Sequence, residues 1–157
     1  MDARGIDALY RKHGHAVLRR SRRLLGSEDE AREMLQDVFL SLVADPAQFG
    51  GQSTVTTWLY RVTTNACLNR LRNRRTRARL SESLPPPARQ TSADTVEGAA
   101  IARSVLATLP EDVAAAVIYH HVDEMTHEEI ARVLGCSRRH VGDLLARMHA
   151  SVAAEES

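Results

Sequence analysis

Lysine is almost missing from this chain. Lys12 is the only one, and the other 20 basic residues are arginine. Arginine suits planar forks to phosphate and stacking on bases, although a GC-rich coding sequence would give the same bias. Cysteine is nearly as scarce. Cys67 and Cys136 stand far apart with no CxxC spacing, which excludes a disulfide framework and fits free thiols in a reducing compartment. No apolar run approaches the roughly 20 residues that cross a bilayer, and no charged-then-apolar leader opens the chain. The expected location is therefore the cytoplasm, with no membrane insertion. No nucleophile–base pair, phosphate loop or metal motif is present, so an enzyme is not expected. His120, His121, His127, His140 and His149, with Cys136, raise the question of a metal. No pair among them has a recognised ligand spacing on a helix face. Solvated or capping histidines are expected instead, with no cofactor.

What is present is divided by charge. Residues 1–80 carry 15 Arg and Lys against 8 Asp and Glu, whereas residues 81–157 carry 6 against 12. A basic half joined to an acidic half suggests two units with different partners. A length of 157 residues suits one domain or two small ones.

Nearly every periodic segment reads as helix. Residues 6–25 carry Ile6, Leu9, Tyr10, Val17, Leu18, Leu24 and Leu25 at helical spacing, with Gly26 as the stop. Ser27 and Glu30 form a capping box that opens the next helix, and Glu28 and Asp29 suit its positive dipole end. From Glu28 to about Ala44, the residues Ala31, Met34, Leu35, Val38, Phe39 and Leu42 follow the i, i+3, i+4 rule. Asp45-Pro46 ends it. Phe49 to Ser53 is a glycine-bearing loop, with Ser53 or Thr54 as the cap of a helix running to about Arg75. Val55, Trp58, Leu59, Val62 and Ala66 form the apolar stripe expected there, and Arg61, Asn65, Asn69 and Arg72 share another face. Residues 77–97, with Pro85-Pro86-Pro87, show no periodicity and read as a flexible linker.

Beyond the linker, 98–107 reads as a short helix, and Leu109-Pro110-Glu111 starts another with Val113, Ala114, Val117 and Ile118 inward. Thr126 and Glu129 form a second capping box. Gly135 makes a turn, and Ser137 caps a last helix with Val141, Leu144, Leu145 and Met148 inward. The expected architecture is all-α: a helical bundle over 1–76, a linker over 77–97 and a helix-turn-helix domain over 98–157.

Two stretches carry candidate chemistry. Thr126–Val152 has the tight turn that lets two helices cross steeply. Its second helix presents Ser137, Arg138, Arg139 and His140, then Arg147, where base edges and phosphates are read; a plain helical hairpin has the same outline. Gly142 and Asp143 count against strong DNA binding. Phe49–Arg75 joins loop glycines, which let a backbone approach closely, to polar groups (Gln52, Ser53, Thr54, Thr56) and a basic helix end. It is either a nucleic-acid reader or a loop-capped core helix with Trp58 buried and its arginines solvated. The acidic face Glu33, Gln36 and Asp37 is either solvated or a docking surface.

Taken together these stretches resemble the extracytoplasmic-function sigma factors, small two-domain bacterial transcription initiation factors. EDEAREMLQDVFLSLVAD at Glu28–Asp45 resembles region 2.2. FGGQSTVTTWLYRVTTNACLNRLRNRR resembles regions 2.3 and 2.4. LPEDVAAAVIYHHVDEMTHEEIARVLGCSRRHVGDLLARMHASV resembles regions 4.1 and 4.2. The resemblance implies that Glu33, Gln36, Asp37 and Leu40 meet the β′ clamp helices of core RNA polymerase, with the β flap as a second polymerase contact. It implies that Phe49, Gly51, Gln52, Ser53, Thr54 and Thr56 take a flipped base of the −10 element, while Arg61, Asn65, Asn69 and Arg72 hold the nearby backbone. Ser137, Arg138, Arg139, His140 and Arg147 would meet the −35 element. Trp58 would support the loop rather than touch DNA. An anti-sigma factor is a further implied partner. His140-Val141-Gly142-Asp143-Leu144 replaces the family's frequent Thr-Val-Lys-Ser-Arg, and Asn69 its frequent Asp. These departures bear on −35 preference and leave the fold untouched. Two other functions fit the same residues: a free-standing helix-turn-helix regulator, or a sigma-like module that only binds partners.

Overall fold

The computed structural model describes residues 2–50, 54–80 and 96–156, with side chains described to Ser151. Gly51, Gln52, Ser53 and the linker residues 81–95 lie outside the described residues. Two compact units divide the chain, Met1–Cys67 and Leu68–Ser157.

The first unit is built on α1 (Ala3–Leu25), α2 (Glu28–Ala44) and the start of α3 (Val55–Leu80). Asp2 caps α1 by accepting from the Gly5 N–H, and Gly26 ends it at φ 68°, the left-handed conformation that glycine adopts without strain. Ser27 accepts from the Glu30 N–H at 3.3 Å, so the first half of the expected capping box is in place. Glu28 ties the α1–α2 corner. It accepts from Arg22 and Arg32, and the Arg22 bond holds its carboxyl below the usual range. Ile6, Leu9, Val17, Leu24 and Leu25 of α1 meet Ala31, Met34, Val38, Phe39 and Leu42 of α2 in the core. Tyr10 stays half exposed, edge-on to Phe39 at 5.1 Å. A 3₁₀ turn, Pro46–Gln48, follows α2. The Gln48 amide pins it by donating to the Ser41 carbonyl at 2.7 Å.

In α3 the buried stripe is not the one expected from sequence. Leu59, Thr63, Thr64, Cys67, Leu68 and Leu71 are buried, whereas Val55, Trp58, Val62 and Ala66 are only half-buried. Of the two buried threonines, only Thr64 satisfies its hydroxyl on the helix's own backbone, as a helical hydroxyl can; the Thr63 hydroxyl is buried without a hydrogen-bond partner among the described residues. Thr64 donates to the Tyr60 carbonyl at 2.8 Å. The helix also runs to Leu80 rather than stopping near Arg75.

In the second unit α4 (Val96–Leu106) precedes α5 (Glu111–Val117), which passes into a π-helical turn, Ile118–Val122. Then come α6 (His127–Leu134) and α7 (Arg138–Glu156). Pro110 stands at the N-cap of α5. The core gathers Leu109, Val113, Ala114, Ala115, Ala116, Ile118 and Tyr119 against Ile130, Ala131, Val141, Leu144 and Leu145. Val117, expected inside, is half-buried, and Tyr119 takes the interior instead. No helix among the described residues is long and apolar enough to cross a membrane.

Candidate nucleic-acid and partner interface

The turn between α6 and α7 is fixed by local chemistry. Thr126 and Glu129 exchange both hydrogen bonds of a capping box, each 3.1 Å long. Those bonds to Thr126 hold the Glu129 carboxyl below its ordinary range. Gly135 takes φ 70° at the C-cap, and Ser137 accepts from the His140 N–H at 3.1 Å to start α7. Ser137 thus uses one acceptor site on the cap, and its hydroxyl proton remains free to donate. Ser137, Arg138, Arg139, His140 and Arg147 are all exposed.

At about 100° per residue the five do not share one direction. Arg139, Asp143 and Arg147 stand on the solvent face opposite buried Val141, Leu144 and Leu145. Arg138 and His140 flank it. Asp143, one turn from both Arg139 and Arg147, therefore tempers the charge of that face. The added Cβ of a side chain at Gly142 would meet nothing within 4 Å. Burial pushes the Cys136 thiol up in the adjoining turn. Among the described residues no three His, Cys, Asp or Glu side chains could hold a metal ion. The histidines nevertheless cluster. His120 lies 4.7 Å from His121 and 5.4 Å from His127, ring centre to ring centre.

At the start of α3, Thr54 is the cap: its hydroxyl accepts from the Thr57 N–H at 3.2 Å. Phe49 packs edge-on to Trp58 at 5.6 Å, and both are half-buried. Trp58 is thus not the fully buried anchor expected; the loop residue it meets among those described is Phe49. Thr56 and Arg61 are exposed, Asn65 is half-buried, and Asn69 is exposed. Arg72 lies past the unit boundary, within the second unit, where it donates to the Leu109 carbonyl at 2.8 Å. Sequence reasoning missed Arg20 of α1. Its Nε donates to Thr64 at 2.8 Å and its guanidinium lies 3.7 Å over the Tyr60 ring.

On α2, Glu33, Gln36, Asp37 and Leu40 are all exposed. Gln36 and Leu40 join Tyr10, Leu18, Arg32, Leu35, Phe39 and Val43 around an open groove of about 570 Å³. Leu40 is 57% and Val43 60% exposed, on a helix whose Ala31, Met34, Val38, Phe39 and Leu42 are buried. Val43 was not singled out from sequence, yet it stands three residues beyond Leu40 on the same face.

Comparison with known proteins accounts for both units. Residues 9–77 match the family model described as Sigma-70 region 2, and residues 100–147 match that described as Sigma-70, region 4. The ECF RNA polymerase sigma factor SigM of Mycobacterium tuberculosis is 31% identical over 153 residues, which span 97% of this chain and 77% of SigM. The RNA polymerase sigma-H factor of Pseudomonas aeruginosa is 27% identical over 151 residues, 86% of this chain and 77% of that protein. Among solved structures, the sigma factor RpoE of Bartonella quintana, in complex with the anti-sigma factor NepR, superposes with a TM-score of 0.57 at 19% identity, covering 94% of each chain. CnrH, in complex with the cytosolic domain of CnrY, gives 0.53 at 22% identity over 98% of this chain and 88% of that one.

Proposed function

This chain belongs to the extracytoplasmic-function class of the sigma-70 family, and from there we propose that it binds core RNA polymerase in the cytoplasm and directs it to promoters. The observation that carries the reading is the α1–α2 groove. Leu40 and Val43 leave apolar surface open beside exposed Glu33 and Asp37, and contiguous apolar surface rimmed by charge marks an interaction site. A basic helix bearing apolar side chains is the partner that fits, which is what the β′ clamp helices would supply; the β flap is the partner proposed for the second unit.

The first unit then reads and opens the −10 element. The loop from Phe49 to Thr56 receives a flipped base, with Phe49 braced on Trp58. Unstacking a base costs a few kcal/mol, so polar groups of Gly51, Gln52, Ser53, Thr54 and Thr56 must offset it. Arg61, Asn65 and Asn69 hold backbone nearby, whereas Arg72 serves only if it leaves Leu109. The second unit meets the −35 element through Arg138, Arg139, His140 and Arg147. An anti-sigma factor is a proposed further partner, on the ground of the complex of the structurally similar RpoE with the anti-sigma factor NepR.

Transcription in vitro with core polymerase, followed by mapping of start sites, tests this. The chain is expected to direct initiation from a defined promoter set. Leu40→Asp should weaken core binding at least about tenfold, roughly 1.4 kcal/mol, without changing helicity. Core polymerase that fails to bind the parent chain would sink the proposal.

A further inference from the structure

Arg20 fixes the rotation of α1 against α3 through Thr64 and Tyr60. Around the helix axis Lys12, Arg19 and Arg23 then fall within about 40° of one another, centred about 80° from Arg20. All three are exposed, as is Ala16 between them. The one carboxylate inside α1, Asp7, lies about 140° away from this line, where it pairs with Arg11 at 3.2 Å. Arg22 is engaged by Glu28. No carboxylate of α1 itself lies on this line of basic residues, which is about 16 Å long. Arg23 stands one turn from Arg20, which places its Cβ roughly 6 Å from that of the residue stacked on α3.

We propose that Lys12, Arg19 and Arg23 form a second backbone track, holding phosphates of the same nucleic-acid strand that the start of α3 reads. The inference rests on the reading of α3 as a promoter-strand reader. Charge complementarity with a strand supports it, as does the place of Arg23 one turn from Arg20, whose guanidinium stacks on Tyr60 of the same α3. A protein partner would want a desolvated aromatic or aliphatic anchor at the centre of its patch, and the stripe offers only Ala16. A strand bearing one charge per about 3.4 Å of helix axis requires no such anchor.

The test is the salt dependence of promoter binding by the holoenzyme assembled from core polymerase and the full chain. Each phosphate contact contributes roughly 0.7–0.9 to the slope of log affinity against log salt. The variant Lys12→Gln, Arg19→Gln, Arg23→Gln should lower that slope by about 2–3, with core affinity and helicity unchanged. An unchanged slope overturns the proposal. So does a loss confined to core affinity, which would make the stripe a protein-docking face. If the parent holoenzyme forms no promoter complex, the promoter-reading function falls first. The stripe is then judged with the chain alone on a single-stranded oligonucleotide, where equal slopes for parent and variant overturn it.

Discussion

Glu124 sits at φ 54°, the sole non-glycine residue with positive φ among the described residues. The surrounding hydrogen bonds explain why the backbone turns there. The Asp123 N–H reaches back to the Ile118 carbonyl at 3.2 Å and the Met125 N–H to the Tyr119 carbonyl at 3.0 Å, which closes the π-helical turn before Thr126 caps α6. The left-handed conformation costs a side-chain-bearing residue about 1 kcal/mol, and glycine would not incur it. Glycine's greater freedom in the unfolded chain offsets part of that gain. Glu124→Gly is therefore expected to stabilise the second unit by about 0.5 kcal/mol. A rise in its urea midpoint, followed by far-UV ellipticity, is the check; a fall would mean that the Glu124 side chain contributes a contact worth more than the strain.

At the scale of elements, protons should matter where histidines crowd. His121 is held below its ordinary pKa by burial first, then by the charges of His120 on the π-helical turn and His149 on α7. The unfolded chain binds the proton more readily than the folded one, so stability rises with pH across this window. The contribution is fully present above about pH 6.5 and declines as pH falls below it. Unfolding of the second unit at pH 5.5 should therefore begin at lower urea than at pH 7.5, and His121→Gln should flatten the difference. Equal pH dependence in parent and variant would remove His121 from the account. The histidines were legible in the sequence but their ring contacts were not, and the π turn Ile118–Val122 has no marker in its own residue types. Helices with strong caps were legible: α2 runs Glu28–Ala44 as its Ser27 cap and Asp45-Pro46 stop require, and Gly135 with Ser137 set the register of α7. The α3 stripe was misread because Thr63, Thr64 and Cys67 count as weak apolar signals although they are buried. The exposed site residues of α7 followed from its register. The groove did not, since Tyr10 and Leu18 reach it from α1.

For the molecule as a whole, the question is whether either reader suffices alone. On the proposed reading α7 would bring Arg138, Arg139 and Arg147, all exposed, to DNA with exposed Asp143 among them, so it would neutralise about three phosphates at most. So few contacts leave duplex binding in the non-specific range, roughly 1–100 µM at physiological salt. A lone helix-turn-helix gains specificity by pairing two half-sites through a dimer. Under the proposed function two unlike readers on one chain would take that role. With the −10 strand held, the second unit would meet its element at an effective concentration that can add about 10²–10⁴ in affinity. The chain alone should thus give no promoter-specific mobility shift of duplex DNA below about 1 µM, whereas the holoenzyme should. Arg138→Ala with Arg139→Ala should weaken the holoenzyme complex by roughly 10–100-fold while initiation stays at the same start sites, because the first unit still chooses them. A tight, specific shift of duplex by the free chain would instead make it a regulator that works without polymerase.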